Sequence, residues 1–337
     1  MHFLLQKLEE VKEKSLFREA KIKQKLKYDY SSNDYLSLSN SIRARFWLFY
    51  AVTFHGKSAC ASKYLGGYSK IHQKLENTVA KHYNCEKSLI FGSGYLASIG
   101  ILQGICDANT IIFADRNIHA SWIDGIMATK AKLVRFEHND IENLKVKLQE
   151  CSLQKQNFRS IILTETVFSM DGTVINLQEY IDIAREFSSF LITDNAHGLG
   201  VLHNDSDYHL HINMGTFSKS CAGFGGYVAG NQTVIDAIAN FGRTQIYSTA
   251  LPEYLLTYNL LAFKFACKNT GMMLKKAEKI AKNLGFEYKN SAILVKKFES
   301  IYEAEKFNDG LKNLGILAFV VRPPTVKKPI IRLCVRL

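Results

Sequence analysis

The segment SFLITDNAHG (residues 189–198) joins a run of strand-forming residues to an aspartate, and then to a histidine and a glycine. An unbroken apolar run of this length, closed by a charged residue and a turn, is the pattern of a strand buried on both faces of a parallel sheet. Six further short β-rich runs recur along the chain: KSLIFG (87–92), TIIFAD (110–115), AKLVRF (131–136), RSIILTE (159–165), HLHINMG (209–215) and GYVAG (226–230). Helix-like segments at 118–128, 140–150 and 177–187 fall between them. This alternation predicts an α/β fold with a mostly parallel sheet flanked by helices. Pro252 closes that region, and 253–337 reads as helices with a few short strands. The division expected is an N-terminal helix and arm (1–40), a large domain (41–250) and a small, shortened C-terminal α/β domain (251–337).

Ligands of such sheets collect beyond the carboxyl ends of the strands. That rule selects Gly92–Gly94, Asp115–His119, Thr164–Ser169, Asp194–His197 and Thr216–Lys219. FGSGYLA (91–97) fits G-x-G-x-x-A through Gly92, Gly94 and Ala97, with Asp115 downstream, so a dinucleotide-binding oxidoreductase is one alternative. The same backbone serves any phosphate, because amides at a helix N-terminus face the ligand. HGKS (55–58) is not a P-loop, since Ala51 stands where the first glycine is required.

Asp194 and Lys219 form the most informative pair. A carboxylate in an α/β crevice can hold a cationic ring nitrogen, and a partly desolvated lysine can form an imine with an aldehyde. Pyridoxal 5'-phosphate needs both groups. Taken singly, Asp194 also reads as a helix N-cap, and Lys219 as a surface residue. Around the pair, Gly94 and Tyr95 would open a helix onto the phosphate, Thr216 would add a hydroxyl, and His119 would cover the ring. Ser169 and His197 would hydrogen-bond its phenolic oxygen.

Composition narrows the classes further. The 337 residues carry a net charge of +12, and 251–337 hold 16 Lys+Arg against 7 Asp+Glu. That surplus fits a solvated basic face, or a landing surface for phosphates or an acidic protein. No nucleic-acid-binding motif accompanies it, so no nucleic-acid partner is expected. FWLFYAVTF (46–54) is too short for a membrane span and reads as a buried helix. The N-terminus reads as an amphipathic helix without a signal peptide. Seven scattered cysteines without a C-x-x-C pair argue against disulfides and a metal site, and fit the cytoplasm.

SSNDYLSLS, GYSKIHQKLE, FGSGY, DRNIHAS, ETVFSMDG, TDNAHGLGVL, GTFSKS, GGYVAG, IYSTALP and VRPPTV occur in that order from residue 31 onward. In this the chain resembles the α-oxoamine synthase family of pyridoxal-phosphate enzymes, of fold type I. The resemblance implies that Lys219 is the imine-forming lysine, Asp194 the pyridinium partner and His119 the stacking residue. Gly94, Tyr95, Ser169, His197 and Thr216 would contact the cofactor, and Thr249 would be donated by the neighbour in a homodimer. Arg18, Asn33, Arg322 and Thr325 match substrate-handling positions. DNAHG and YSTALP favour the branch that condenses L-alanine with a pimeloyl thioester of coenzyme A or an acidic acyl carrier protein; glycine- and serine-using branches are alternatives, and a non-catalytic relative is another. One departure stands out. The family's glycine- and serine-rich loop is GKSACASKYLGGYS (56–69) here, and Lys57, Cys60 and Lys63 are expected to reshape the substrate entrance.

Overall fold

The computed structural model describes residues 1–14, 16–20, 22–154, 158–203, 209–323 and 325–337. A short strand, β1 (Tyr28–Asp29), precedes seven strands that build the central sheet: β2 (Lys87–Phe91), β3 (Thr110–Asp115), β4 (Lys132–Phe136), β5 (Arg159–Glu165), β6 (Phe190–Asp194), β7 (His211–Thr216) and β8 (Gly226–Gly230). Their order is β2-β8-β7-β6-β5-β3-β4. All seven runs read from the sequence are strands of this sheet. β8 alone runs against its neighbours, pairing antiparallel with both β7 and β2.

Alternation along each strand divides the core. Ile112 and Ala114 face a cluster with Phe91, Ile101, Trp122 and Ile238, while Ile111 and Phe113 face another with Phe136, Leu144 and Tyr180. Helices cover both faces, so the interior strands are buried along nearly their whole length. At the edge, β4 exposes Lys132 and Arg135, charges that discourage pairing with another chain.

The C-terminal region forms a four-stranded antiparallel sheet of β9 (Glu287–Tyr288), β10 (Ile293–Lys297), β12 (Phe319–Val321) and β13 (Ile330–Cys334), while β11 (Ile316–Leu317) pairs with β1. Ile331 and Leu333 point into this small sheet's own core. Ile330 and Cys334 instead join a cluster with Tyr227, Phe217 and Phe263 of the preceding region. The helix Glu253–Lys268 contributes Leu256 and Phe263 to that cluster.

The run at 46–54 is helical, within Ile42–Phe54, but it is not buried. Phe46, Phe49 and Phe54 are each about 70% exposed (69%, 70% and 68%), because apolar residues surround the helix and only one side meets protein, where Trp47 packs edge-on against Tyr258 and Phe265. The N-terminal helix His2–Glu13 has no buried residue. Among the described residues, no helix is long and apolar enough to cross a membrane.

One close approach sets the position of the helix Gly94–Ile105 over the sheet. A Cβ on Gly226 would lie 2.6 Å from the Ser93 carbonyl oxygen and 2.7 Å from the Gly94 nitrogen. We expect Gly226→Ala to lower stability by about 1–3 kcal/mol, because backbone on both sides must shift. Urea unfolding checks this, and an unchanged midpoint contradicts it.

Candidate active site

Parallel strands deliver their terminal residues to one edge of the sheet. β5 and β6 end in register at Glu165 and Asp194, and β7 ends at Thr216, three residues before Lys219. A pocket of about 250 Å³ opens there, lined by Gly94, Tyr95, His119, Asp194, His197, Thr216 and Lys219, together with Ser93, Ser121, Glu165, Ala196, Met214 and Ser218. Seven of the residues singled out in the sequence therefore share one cavity.

Asp194 is buried, and both of its oxygens are held. Trp122 donates its indole N–H to Oδ2 at 2.8 Å, and the Ala196 amide donates to Oδ1 at 2.9 Å. Beside it, Glu165 Oε1 accepts the His119 backbone N–H at 2.7 Å. Burial, reinforced by the charge of Asp194, raises the Glu165 pKa well above the usual carboxyl value.

Lys219 sits in a closed turn. The Phe217 amide donates to Gly225 O, the Gly223 amide to Phe217 O and the Ala222 amide to Lys219 O, at 2.9–3.0 Å. The glycines that follow it are demanded by contact: a Cβ on Gly223 would lie 2.1 Å from Asn259 Oδ1, and Gly225 has φ +117°. Burial lowers the Lys219 pKa from 10.5 to about 8, against the opposing pull of Asp194 and Glu165.

The two histidines present defined nitrogens. His119 caps the helix Ala120–Met127, and its Nδ1 accepts the Ser121 amide at 3.3 Å, which leaves the proton on Nε2. Burial, together with the Lys219 charge, lowers its pKa, so the ring is neutral. His197 is buried with Nδ1 at 2.7 Å from the Tyr35 hydroxyl. Burial and the charges of Lys219 and Arg332 keep it neutral as well.

The opposite end of the pocket suits an anion. Gly94 and Tyr95 occupy the first turn of the helix capped by Ser93, where amides have no intrahelical acceptor. A Cβ on Gly94 would touch Thr216 at 3.4 Å, so backbone forms this wall. Thr216 spends its proton on the Gly225 carbonyl at 2.7 Å, whereas the Ser218 hydroxyl lies 2.8 Å from Thr216 Oγ1 and lines the pocket. A phosphate site, an aldehyde-reactive amine and a carboxylate for a ring nitrogen therefore fit pyridoxal phosphate by their chemistry.

The other sequence candidates lie elsewhere. Ser169 is outside the pocket, and its carbonyl accepts from Arg332 Nε. Asn33 Oδ1 accepts from Arg332 Nη2 at 3.0 Å. Arg18 is exposed before β1; Arg322 and Thr325 are exposed in the turn after β12. Thr249 lines a separate small cavity with Lys63 and His72. Lys63 itself turns inward to Glu76, at 2.7 Å. Asp115 is engaged by the Asn117 amide of its own loop and by His138 and the Asn139 amide of the loop after β4, which removes the carboxylate that the dinucleotide alternative requires. Trp122 and Arg332 were not read from the sequence; Glu165 and Ser218 fell within the selected stretches Thr164–Ser169 and Thr216–Lys219 but were given no role. Glu165 closes a strand-like run, so a signal for it was present. Trp122 lies one helical turn after His119, a weaker hint, and Arg332 carried none.

Comparison with known proteins follows the same lines. The chain is 33% identical to a putative 8-amino-7-oxononanoate synthase of Thermodesulfovibrio yellowstonii, over 98% of this chain and 91% of that protein. It is 34% identical to the 8-amino-7-oxononanoate synthase of Geotalea daltonii, over 88% and 79%. The structure of 8-amino-7-oxononanoate synthase from Francisella tularensis superposes with a TM-score of 0.75 at 26% identity, covering 92% of each chain. The serine palmitoyltransferase of Sphingomonas wittichii gives 0.86 at 20% identity, covering 98% of this chain and 91% of that one, which bears on fold alone. The family model for aminotransferase class I and II matches residues 27–336. The chain belongs to the aminotransferase class I and II family, with the fold of the fold type I pyridoxal-phosphate-dependent transferases.

Proposed function

We propose that the protein condenses L-alanine with a pimeloyl thioester, releasing carbon dioxide and the thiol, to give 8-amino-7-oxononanoate for biotin synthesis. The observation that carries this reading is the single pocket in which Asp194, Lys219 and an anion-binding helix start come together. The names of the most similar relatives support the choice of amino acid and acyl group.

Gly94, Tyr95, Thr216 and Ser218 would hold the phosphate of pyridoxal phosphate, Asp194 its ring nitrogen, His197 Nε2–H its phenolic oxygen, and Lys219 its aldehyde. When bound, that cofactor supplies an electron sink for negative charge at the α-carbon of the amino acid. Lys219 Nζ, freed when the substrate amine takes its place at the aldehyde, would then take the α-proton. At pH 7 a group of pKa about 8 is free amine in about one molecule in ten, against about one in three thousand for an ordinary lysine. The neutral His119 can donate Nε2–H to the thioester carbonyl as charge develops on its oxygen. Arg332 orients the substrate carboxylate. Three of its five N–H groups are engaged by Ser169 O, Asn33 Oδ1 and Cys334 Sγ, so one N–H on each terminal nitrogen remains to donate to a carboxylate. Orientation decides which bond at the α-carbon breaks.

Homodimerisation belongs to the same reading. It is supported by the exposed aromatic face of Ile42–Phe54 and by Thr249, which lies outside this chain's own pocket. The basic surplus of 251–337 suits phosphates of coenzyme A or an acidic carrier protein. Seven free cysteines fit a cytoplasmic enzyme.

Two outcomes are expected. The protein supplied with pyridoxal phosphate shows a visible absorption band that borohydride bleaches, absent in Lys219→Ala, and it turns over L-alanine plus pimeloyl thioester faster than glycine or L-serine with other acyl thioesters. A colourless protein, or a preference for glycine or L-serine, contradicts the assignment. In the cofactor-free protein, the deprotonated Lys219 is the reactive form. The rate at which the band develops on adding pyridoxal phosphate therefore rises with pH and levels off above about 8, whereas a midpoint near the ordinary lysine value of 10.5 contradicts the lowered pKa.

A further inference from the structure

We propose that Cys334 is a positioning residue for the carboxylate of the amino-acid substrate, acting through Arg332. This rests on the reading of the pocket given above. Arg332 and Cys334 are two residues apart on β13, so their side chains leave the same face of the small sheet, toward the large domain. The intervening Leu333 points into the small sheet's core instead. Cys334 is fully buried.

The thiol makes two contacts that a smaller side chain could not. Cys334 Sγ accepts from Arg332 Nη1 at 2.7 Å and donates to Asn33 Oδ1 at 3.3 Å, the same oxygen that receives Arg332 Nη2. Guanidinium, amide and thiol thus close a ring of three hydrogen bonds. With Nε fixed on the Ser169 carbonyl, the planar guanidinium is held at all three nitrogens, and its rotation about the last side-chain bonds is blocked. The N–H left on each terminal nitrogen then has a fixed direction before a carboxylate arrives, so the entropic cost of aiming it is met on folding.

The neutral state of the sulfur matters to this role. Burial raises the Cys334 pKa despite the nearby Arg332 and Lys219 charges, so the group is a thiol that accepts and donates at once. A thiolate would neutralise the guanidinium and compete with the substrate. Removing the sulfur frees Nη1 and leaves Asn33 held by Arg332 alone. The predicted effect is on recognition of the carboxylate, with the cofactor's own contacts unchanged.

The test uses the protein loaded with pyridoxal phosphate and reads the change in its visible spectrum on titration with L-alanine, with L-alanine methyl ester as the ligand lacking a carboxylate. Cys334→Ala is expected to weaken L-alanine binding about tenfold, the size of one hydrogen bond to a charged group, and to leave the ester within about twofold. In Cys334→Ser the hydroxyl replaces both contacts, and L-alanine binding returns to within about threefold of the unsubstituted protein. In turnover, Cys334→Ala raises KM for L-alanine more than it lowers kcat. Unchanged L-alanine binding in Cys334→Ala overturns the proposal, as does an equal loss for both ligands or a failure of serine to restore it. Glycine and L-serine, which share the carboxylate, are titrated alongside. A response to one of them but not to L-alanine overturns the alanine assignment alone, and the variants are then compared with that amino acid. A loaded protein that responds to none of the three overturns both readings.

Discussion

A buried carboxylate held at both oxygens organises this site. Asp194 lines the pocket with Trp122 on one oxygen and the Ala196 amide on the other, and its charge acts on His119, Glu165 and Lys219. After burial itself, it raises the Glu165 pKa, and it partly offsets the effect of burial on Lys219. A negative charge so far from solvent is costly unless hydrogen bonds or a cation compensate it. Two donors supply part of that compensation, and a protonated ring nitrogen would supply the rest. The site is therefore built to select a cationic heterocycle, and the amine beside it to select a carbonyl.

The pocket is backed across a seam. Its lining comes from residues 93–219, but Tyr35 of the N-terminal arm holds the lining residue His197, and Asn33 of the same arm holds Arg332 of β13 in the C-terminal sheet. Asn33 and Arg332 are 299 residues apart in the chain. The arm, which also pairs β1 with β11, ties the small sheet to the site before any ligand is present. The position of Arg332 thus depends on the packing between the two sheets, and the shared apolar cluster that includes Ile330, Cys334, Tyr227 and Phe263 supplies it.

Much of this was legible in the sequence because the information is local. A strand buried on both faces announces itself by an unbroken run of Ile, Leu, Val and Phe, and the residue that ends it lies at the ligand edge; Asp194, His197, Thr216, Gly94 and Lys219 were found on that ground. The antiparallel direction of β8 was not inferred, although nine residues between β7 and β8 are too few for a parallel crossover. Burial of the Ile42–Phe54 helix was misjudged because hydrophobicity alone does not say whether a neighbour exists to cover it. Trp122 and Arg332 were missed for a different reason. Their roles are fixed by partners 72 and 299 residues away, and no periodicity or motif encodes such a contact. The site's charges were readable; the donors that stabilise them were products of tertiary packing.

In the proposed reading, Asp194 holds a proton on the cofactor's ring nitrogen. The direct measurement is the nitrogen-15 chemical shift of ring-labelled pyridoxal phosphate bound to the protein, followed from pH 6 to 9, in the unsubstituted protein and in Asp194→Asn. The account predicts a protonated ring nitrogen throughout this range in the unsubstituted protein, and its loss in Asp194→Asn. An unprotonated nitrogen in the unsubstituted protein, or the same shift in both proteins, would contradict it.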